Sequence, residues 1–108
     1  MDEREYERKA SATFDEVLDL FEDVDPDEAD AETTGDVVTI EFPKKGGKII
    51  LNTQRPVRQL WLAGGRRAWH FSYDEEKGKW LDDREGTEEL FAVLAELCAA
   101  SGVELPTP

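Results

Sequence analysis

The hydrophobic period of this chain changes twice, and each change marks a different kind of backbone. From residue 3 to 24, Tyr6, Ala10, Phe14, Val17, Phe21 and Val24 recur every three or four positions, the spacing that lines one stripe of an α-helix. From residue 36 to 83 the period falls to two. Val38, Ile40 and Phe42 alternate with Val37, Thr39 and Glu41, and Leu60 and Leu62 alternate with Gln59 and Trp61. Strands with one face in a core and the other toward water read this way. Leu90, Phe91, Leu94, Leu97 and Cys98 then return to helical spacing. Two amphipathic helices flanking one run of strands bury their stripes against the same sheet. The fold class is therefore α+β: a two-layer α/β sandwich with N- and C-terminal helices on one face of an antiparallel sheet of about five to six strands. A length of 108 residues fits one domain spanning residues 1–108.

Local signals place the boundaries. Pro26 is expected to stop the first helix just before it, and residues 25–35 read as a loop into the first strand. Strands are expected over 36–42, 48–52, 57–63, 68–73 and 79–83, separated by PKKGG, TQRP, GGRR and DEEKG. Thr87 is a candidate N-cap for the second helix, Gly102 suits its C′ position, and Pro106 lies just beyond.

The charge is concentrated. Residues 1–41 carry 16 acids and 3 bases, whereas residues 42–108 carry 10 of each, so the formal charge of −13 sits wholly in the first part. Nucleic acid is not expected as a partner, because phosphate needs a basic footprint. No apolar run is long enough to span a membrane. The opening MDEREYERKA has neither the apolar core of a signal peptide nor the acid-poor composition of a transit peptide, so a bacterial cytoplasmic setting is expected. Uncovered negative charge favours a monomer in the absence of metal.

At about 100° per residue, Asp15, Glu16, Asp19, Glu22 and Asp23 fall opposite the apolar stripe. Asp25, Asp27, Glu28 and Asp30 continue the run beyond Pro26. Such a ridge is either a solvated helix face or a loose collector of hard cations, calcium, magnesium, manganese or iron, ferric iron above all. It lacks the EF-hand spacing, so few protein ligands and many waters per ion are expected. Strand alternation turns Trp61 and Gln59 outward, where an exposed Trp flanked by polar residues reads as a docking anchor. Trp69 and Phe71 are the better core residues of their strand, so His70 points outward as well, as a surface residue, a partner contact or a metal ligand. Cys98, on the apolar stripe, reads as a small hydrophobe. No Ser-His-Asp, Cys-His or paired Glu-x-x-His arrangement is present to carry catalysis.

The stretch KIILNTQRPVRQLWLA, followed by AWHFSYDEEKGKWLDD, resembles the frataxin family, particularly its bacterial CyaY branch. The pattern is carried by Asn52, Gln54, Pro56, Gln59, Leu60, Trp61 and Leu62, with Trp80 following, and the likeness extends over essentially the whole chain. The resemblance implies an iron-binding protein of iron–sulfur cluster assembly. Such a protein docks on the cysteine desulfurase–scaffold complex and regulates sulfur transfer and/or supplies iron. By position, it implies iron ligands at Glu3, Glu7, Asp19, Glu22, Asp23, Asp25 and Asp27, and scaffold contacts at Asn52, Gln54, Gln59 and Trp61. Asp19, Glu22 and Asp23 would be shared by iron and partner. His70 matches a His of bacterial members. Glu7 stands where many of them carry His, which hardens that site toward ferric iron or leaves it purely electrostatic. Weak ferroxidase or iron-storage activity, and a metal-independent acidic adaptor, are the alternative readings.

Overall fold

Among the described residues the sheet has six strands, one more than the period-two pattern marks out. The structure, a computed structural model, describes residues 1–105. Its elements are helix α1 (Glu3–Leu20), strands β1 (Asp30–Thr34), β2 (Val37–Glu41), β3 (Lys48–Gln54), β4 (Gln59–Gly64), β5 (Arg67–Asp74) and β6 (Lys79–Asp82), and helix α2 (Leu90–Ala100). The strands form one antiparallel meander in the order β1-β2-β3-β4-β5-β6. Both helices pack on one of its faces, as the sequence predicts.

β1 lies inside the segment expected to be a loop. Its residues, Asp-Ala-Glu-Thr-Thr, have no apolar alternation of their own. They become a strand by pairing with β2 across a two-residue turn in which Gly35 takes a φ of 60°, a conformation glycine adopts at little cost. β3 likewise runs on through Gln54, so Thr53 and Gln54 are strand rather than loop, and Arg55–Val57 form a 3-10 turn around Pro56.

α1 ends at Leu20, short of Val24. Beyond it the chain tightens into i to i−3 bonds, from Glu22 N–H to the Asp19 carbonyl and from Val24 N–H to that of Phe21. The last turn holds no basic residue, and Asp19, Glu22 and Asp23 put carboxylates where the helix dipole is already negative, which opposes extension. α2 begins at Leu90 rather than just after Thr87. Residues before it are held extended by a bridge from Glu89 to Leu81 and a bond from Asp82 N–H to the Glu88 carbonyl. The Glu89 carboxylate caps the helix, accepting from Phe91 N–H at 2.8 Å and Ala92 N–H at 3.2 Å. Gly102 follows α2 with φ 81°, the left-handed conformation of a C′ residue. Pro106 lies outside the described residues.

The core forms where the stripes meet. Tyr6, Ala10, Phe14 and Val17 of α1 and Leu90, Val93, Leu94 and Cys98 of α2 are buried against Val38, Ile40, Leu51, Leu60, Leu62 and Phe71 of the sheet. Burial pushes the Cys98 thiol up to about 12, which leaves it an unreactive apolar group at neutral pH. Tyr6 is fully buried, and its hydroxyl donates to the Gln59 carbonyl at 2.7 Å and accepts from Gln54 N–H at 3.2 Å. That one side chain ties α1 to the corner between β3 and β4. Among the described residues, no helix is long and apolar enough to cross a membrane.

Candidate functional site

Two surfaces stand apart on this fold, one acidic and one polar-aromatic. The acidic one starts on the outer side of α1, where Asp15, Glu16 and Asp19 are exposed. Glu22 and Asp23 follow in the turns after the helix rather than on it. Asp25 then opens a tight turn: its carbonyl accepts from Glu28 and Ala29 N–H, and its carboxylate accepts from Asp27 N–H at 2.9 Å. That turn brings the chain back so that Asp19, Glu22 and Asp30 rim one shallow depression of about 410 Å³ between the end of α1 and the start of β1.

Charge is poorly compensated here. The strand register sets Asp30 opposite Glu41, a like-charge pairing that weakens a sheet. Lys48 lies opposite Glu41 on the next strand, and Lys44 comes within 3.5 Å of Glu28. Among the described residues, no three His, Cys, Asp or Glu side chains converge as ligands for one metal ion. The carboxylates form an open rim, on which a cation would keep most of its water.

Glu3 and Glu7 lie at the other end of α1. Taking about 1.5 Å per residue, Glu7 is about 18 Å along the axis from Asp19. Its carboxylate pairs with Arg55, whose other guanidinium nitrogen is 3.0 Å from Asp36 Oδ1. The hydrogen bond to Asp36, with the charges of Asp36 and Glu7, holds the Arg55 pKa above its ordinary value. Glu7 is therefore engaged in a salt bridge at the corner between β3 and β4, away from the acidic depression.

The second surface is the sheet face turned away from the helices. Val37, Asn52, Trp61 and His70 lie in one cross-strand row, and Gln54, Gln59 and Ser72 in the next. The four residues implied as scaffold contacts, Asn52, Gln54, Gln59 and Trp61, thus share a face. His70 joins them and not the carboxylates of α1, which lie on the other side of the molecule. The Trp61 and His70 rings stack, with centroids 4.1 Å apart and planes 15° from parallel. Trp61 Nε1–H donates to Gln59 Oε1 at 2.9 Å, and Gln59 Nε2 donates to Ser72 Oγ at 3.1 Å and Asp83 Oδ2 at 3.2 Å. The same Asp83 oxygen lies 3.7 Å from His70 Nδ1.

Sequence reasoning did not find Ser72, Asp83, Arg55 or Asp36. Their roles depend on which strand lies beside which, and no residue type or spacing announces that.

The segment joining β6 to α2 hangs on Asp82. Its Oδ1 accepts from Glu85 N–H at 3.0 Å and Gly86 N–H at 2.9 Å, and its Oδ2 from Glu88 N–H at 3.1 Å. These backbone bonds, led by that of Glu85, hold its pKa below the ordinary carboxylate value. A depressed folded pKa gives stability that is present above the unfolded value, about 3.9, and is lost as pH falls through the folded one. Asp82→Asn is therefore expected to lower the urea midpoint at pH 7, with the gap to the parent chain narrowing in acid. Equal gaps at pH 7 and pH 2.5 would refute this.

The family model for a frataxin-like domain matches residues 1–102. A protein of Janthinobacterium sp. (strain Marseille) named iron-sulfur cluster assembly protein CyaY is 38% identical over 105 residues, covering 94% of this chain and 91% of its own. A protein of the same name from Azotobacter vinelandii is 41% identical over 93 residues, covering 85% and 82%. The solved frataxin of Psychromonas ingrahamii superimposes with a TM-score of 0.84 at 28% identity, over 97% of this chain and 95% of that one.

Proposed function

The chain belongs to the frataxin-like family, and on that premise we propose that it works in iron–sulfur cluster assembly, the role for which its relatives are named. It carries iron as a weakly held cargo on the open carboxylates from Asp15 to Asp30. It docks on the cysteine desulfurase–scaffold complex, regulating sulfur transfer and supplying iron.

The separation of the two surfaces carries this reading. The acidic rim attracts a basic partner, speeds encounter and weakens with salt. The polar face around Trp61 offers an aromatic anchor with hydrogen-bonding neighbours, as docking surfaces do. One molecule then contacts two partners at once, the basic surface of the desulfurase and the scaffold.

Titration with ferrous iron, followed by NMR, is expected to broaden the amide signals of residues 15–30 and to leave those of Asn52, Gln59 and Trp61 in place. Adding the desulfurase–scaffold complex is expected to move both sets. Trp61→Ala is expected to weaken docking roughly thirtyfold or more, as loss of an aromatic anchor does, with the thermal midpoint little changed. Unaltered affinity in that variant would overturn the docking role of the face. If calcium, magnesium and iron all gave equal, weak shifts, the protein would instead be an acidic adaptor in which metal is incidental.

A further inference from the structure

We propose that His70 and Asp83 are positioning residues that fix Trp61 for docking, and that His70 is not a ligand for iron. This inference rests on the docking role given above to the outer sheet face.

Four side chains close a ring there. Trp61 bonds Gln59 through its indole N–H, Gln59 bonds Asp83, Asp83 Oδ2 faces His70 Nδ1, and the His70 ring lies flat on the indole. Ser72 holds the remaining reach of the Gln59 amide. The ring gathers residues from β4, β5 and the chain just after β6, so it is rigid only when all three segments are in place.

Two consequences follow from the geometry. The indole N–H is already spent on Gln59, so Trp61 meets its partner through aromatic and apolar contact rather than by donating a hydrogen bond. The indole is also held in one rotamer before the partner arrives, which removes the ordering cost of immobilising a large side chain on binding. Nδ1 of His70 is directed at Asp83 and one ring face is covered by Trp61. No carboxylate of α1 shares its side of the sheet.

The test uses the full chain and His70→Ala, His70→Phe and Asp83→Asn variants. In the free protein, the indole Nε1–H NMR signal of Trp61, assigned by its loss in Trp61→Phe, is expected to shift and broaden in His70→Ala and Asp83→Asn. The indole signals of Trp69 and Trp80 should stay in place. Docking on the desulfurase–scaffold complex is expected to weaken about threefold to tenfold in His70→Ala, the size of one side chain's ordering. It is expected to recover in His70→Phe, which restores the stack but has no metal-binding nitrogen.

Ferrous iron is expected to bind His70→Ala as it binds the parent chain. An unmoved Trp61 indole signal in both His70→Ala and Asp83→Asn would overturn the proposal, as would loss of iron binding in His70→Ala. Failure of the parent chain to dock would fall on the proposed function instead, since the indole signal is read without any partner.

Discussion

Replacing Asp19, Glu22 and Asp23 together by lysine is expected to make the protein more stable and less functional. Each change adds two units of positive charge, so the formal charge moves from −13 to −7. The gain in stability has two sources. Self-repulsion within the acidic segment falls. The end of α1, which has no basic residue in its last turn, also receives cations where the helix dipole favours them. A rise of about 5–10 °C in thermal midpoint is the expected scale for a domain of this size. Docking on a basic partner is expected to fall at least about a hundredfold at low ionic strength, mainly through the association rate. Iron-induced broadening of residues 15–30 should disappear with it. Opposite signs for stability and binding in the same variant would mark these acids as kept for function at a cost to the fold. A thermal midpoint that fell, or docking that survived, would refute the assignment.

Trp80→Ala is expected to be the most damaging single change to the fold. Trp80 is 3% exposed and its Nε1–H donates to Thr13 Oγ1 of α1 at 2.8 Å. Its ring meets those of Tyr6 and Tyr73 edge-on, with centroids 6.2 Å and 5.2 Å away. One side chain of a four-residue strand at the sheet's margin therefore joins β6, β5 and the first helix. Truncation loses the ring contacts and leaves a cavity, for about 3–5 kcal/mol, a large share of the about 5–15 kcal/mol that holds such a domain folded. Thr13→Val is expected to cost about 1–3 kcal/mol by orphaning the indole N–H alone. Urea unfolding at constant m-value checks both. A loss below about 1 kcal/mol for Trp80→Ala would show that the margin of the sheet is held by other contacts.

What could be read in the sequence was whatever repeats with a fixed period. The alternation of β5 put Trp69 and Phe71 inside and His70 outside, and that of β4 put Leu60 and Leu62 inside and Trp61 outside. The exposed carboxylates at Asp15, Glu16 and Asp19 followed from the helical count. What was hidden depends on neighbours. The apolar spacing of Phe21 and Val24 predicts a longer α1 than forms, because the chain around them has already turned. Asp83 meets Gln59 and His70 only because the end of β6 lies beside β5. Arg55 meets Glu7 from 48 residues away, a distance over which pattern carries no signal.

β1 shows how a weak strand protects its owner. It ends the sheet, so among the described residues its outer backbone groups have no partner strand, and such an edge invites another molecule to add a strand of its own. Five residues long, with Asp30 and Glu32 among them, it is a poor template: an incoming copy would stack carboxylate against carboxylate along the seam. The residues that conceal this strand from its sequence also serve as gatekeepers against fibrous aggregation. Substituting them with valine or isoleucine would strengthen β1 while opening the sheet to growth from its acidic margin.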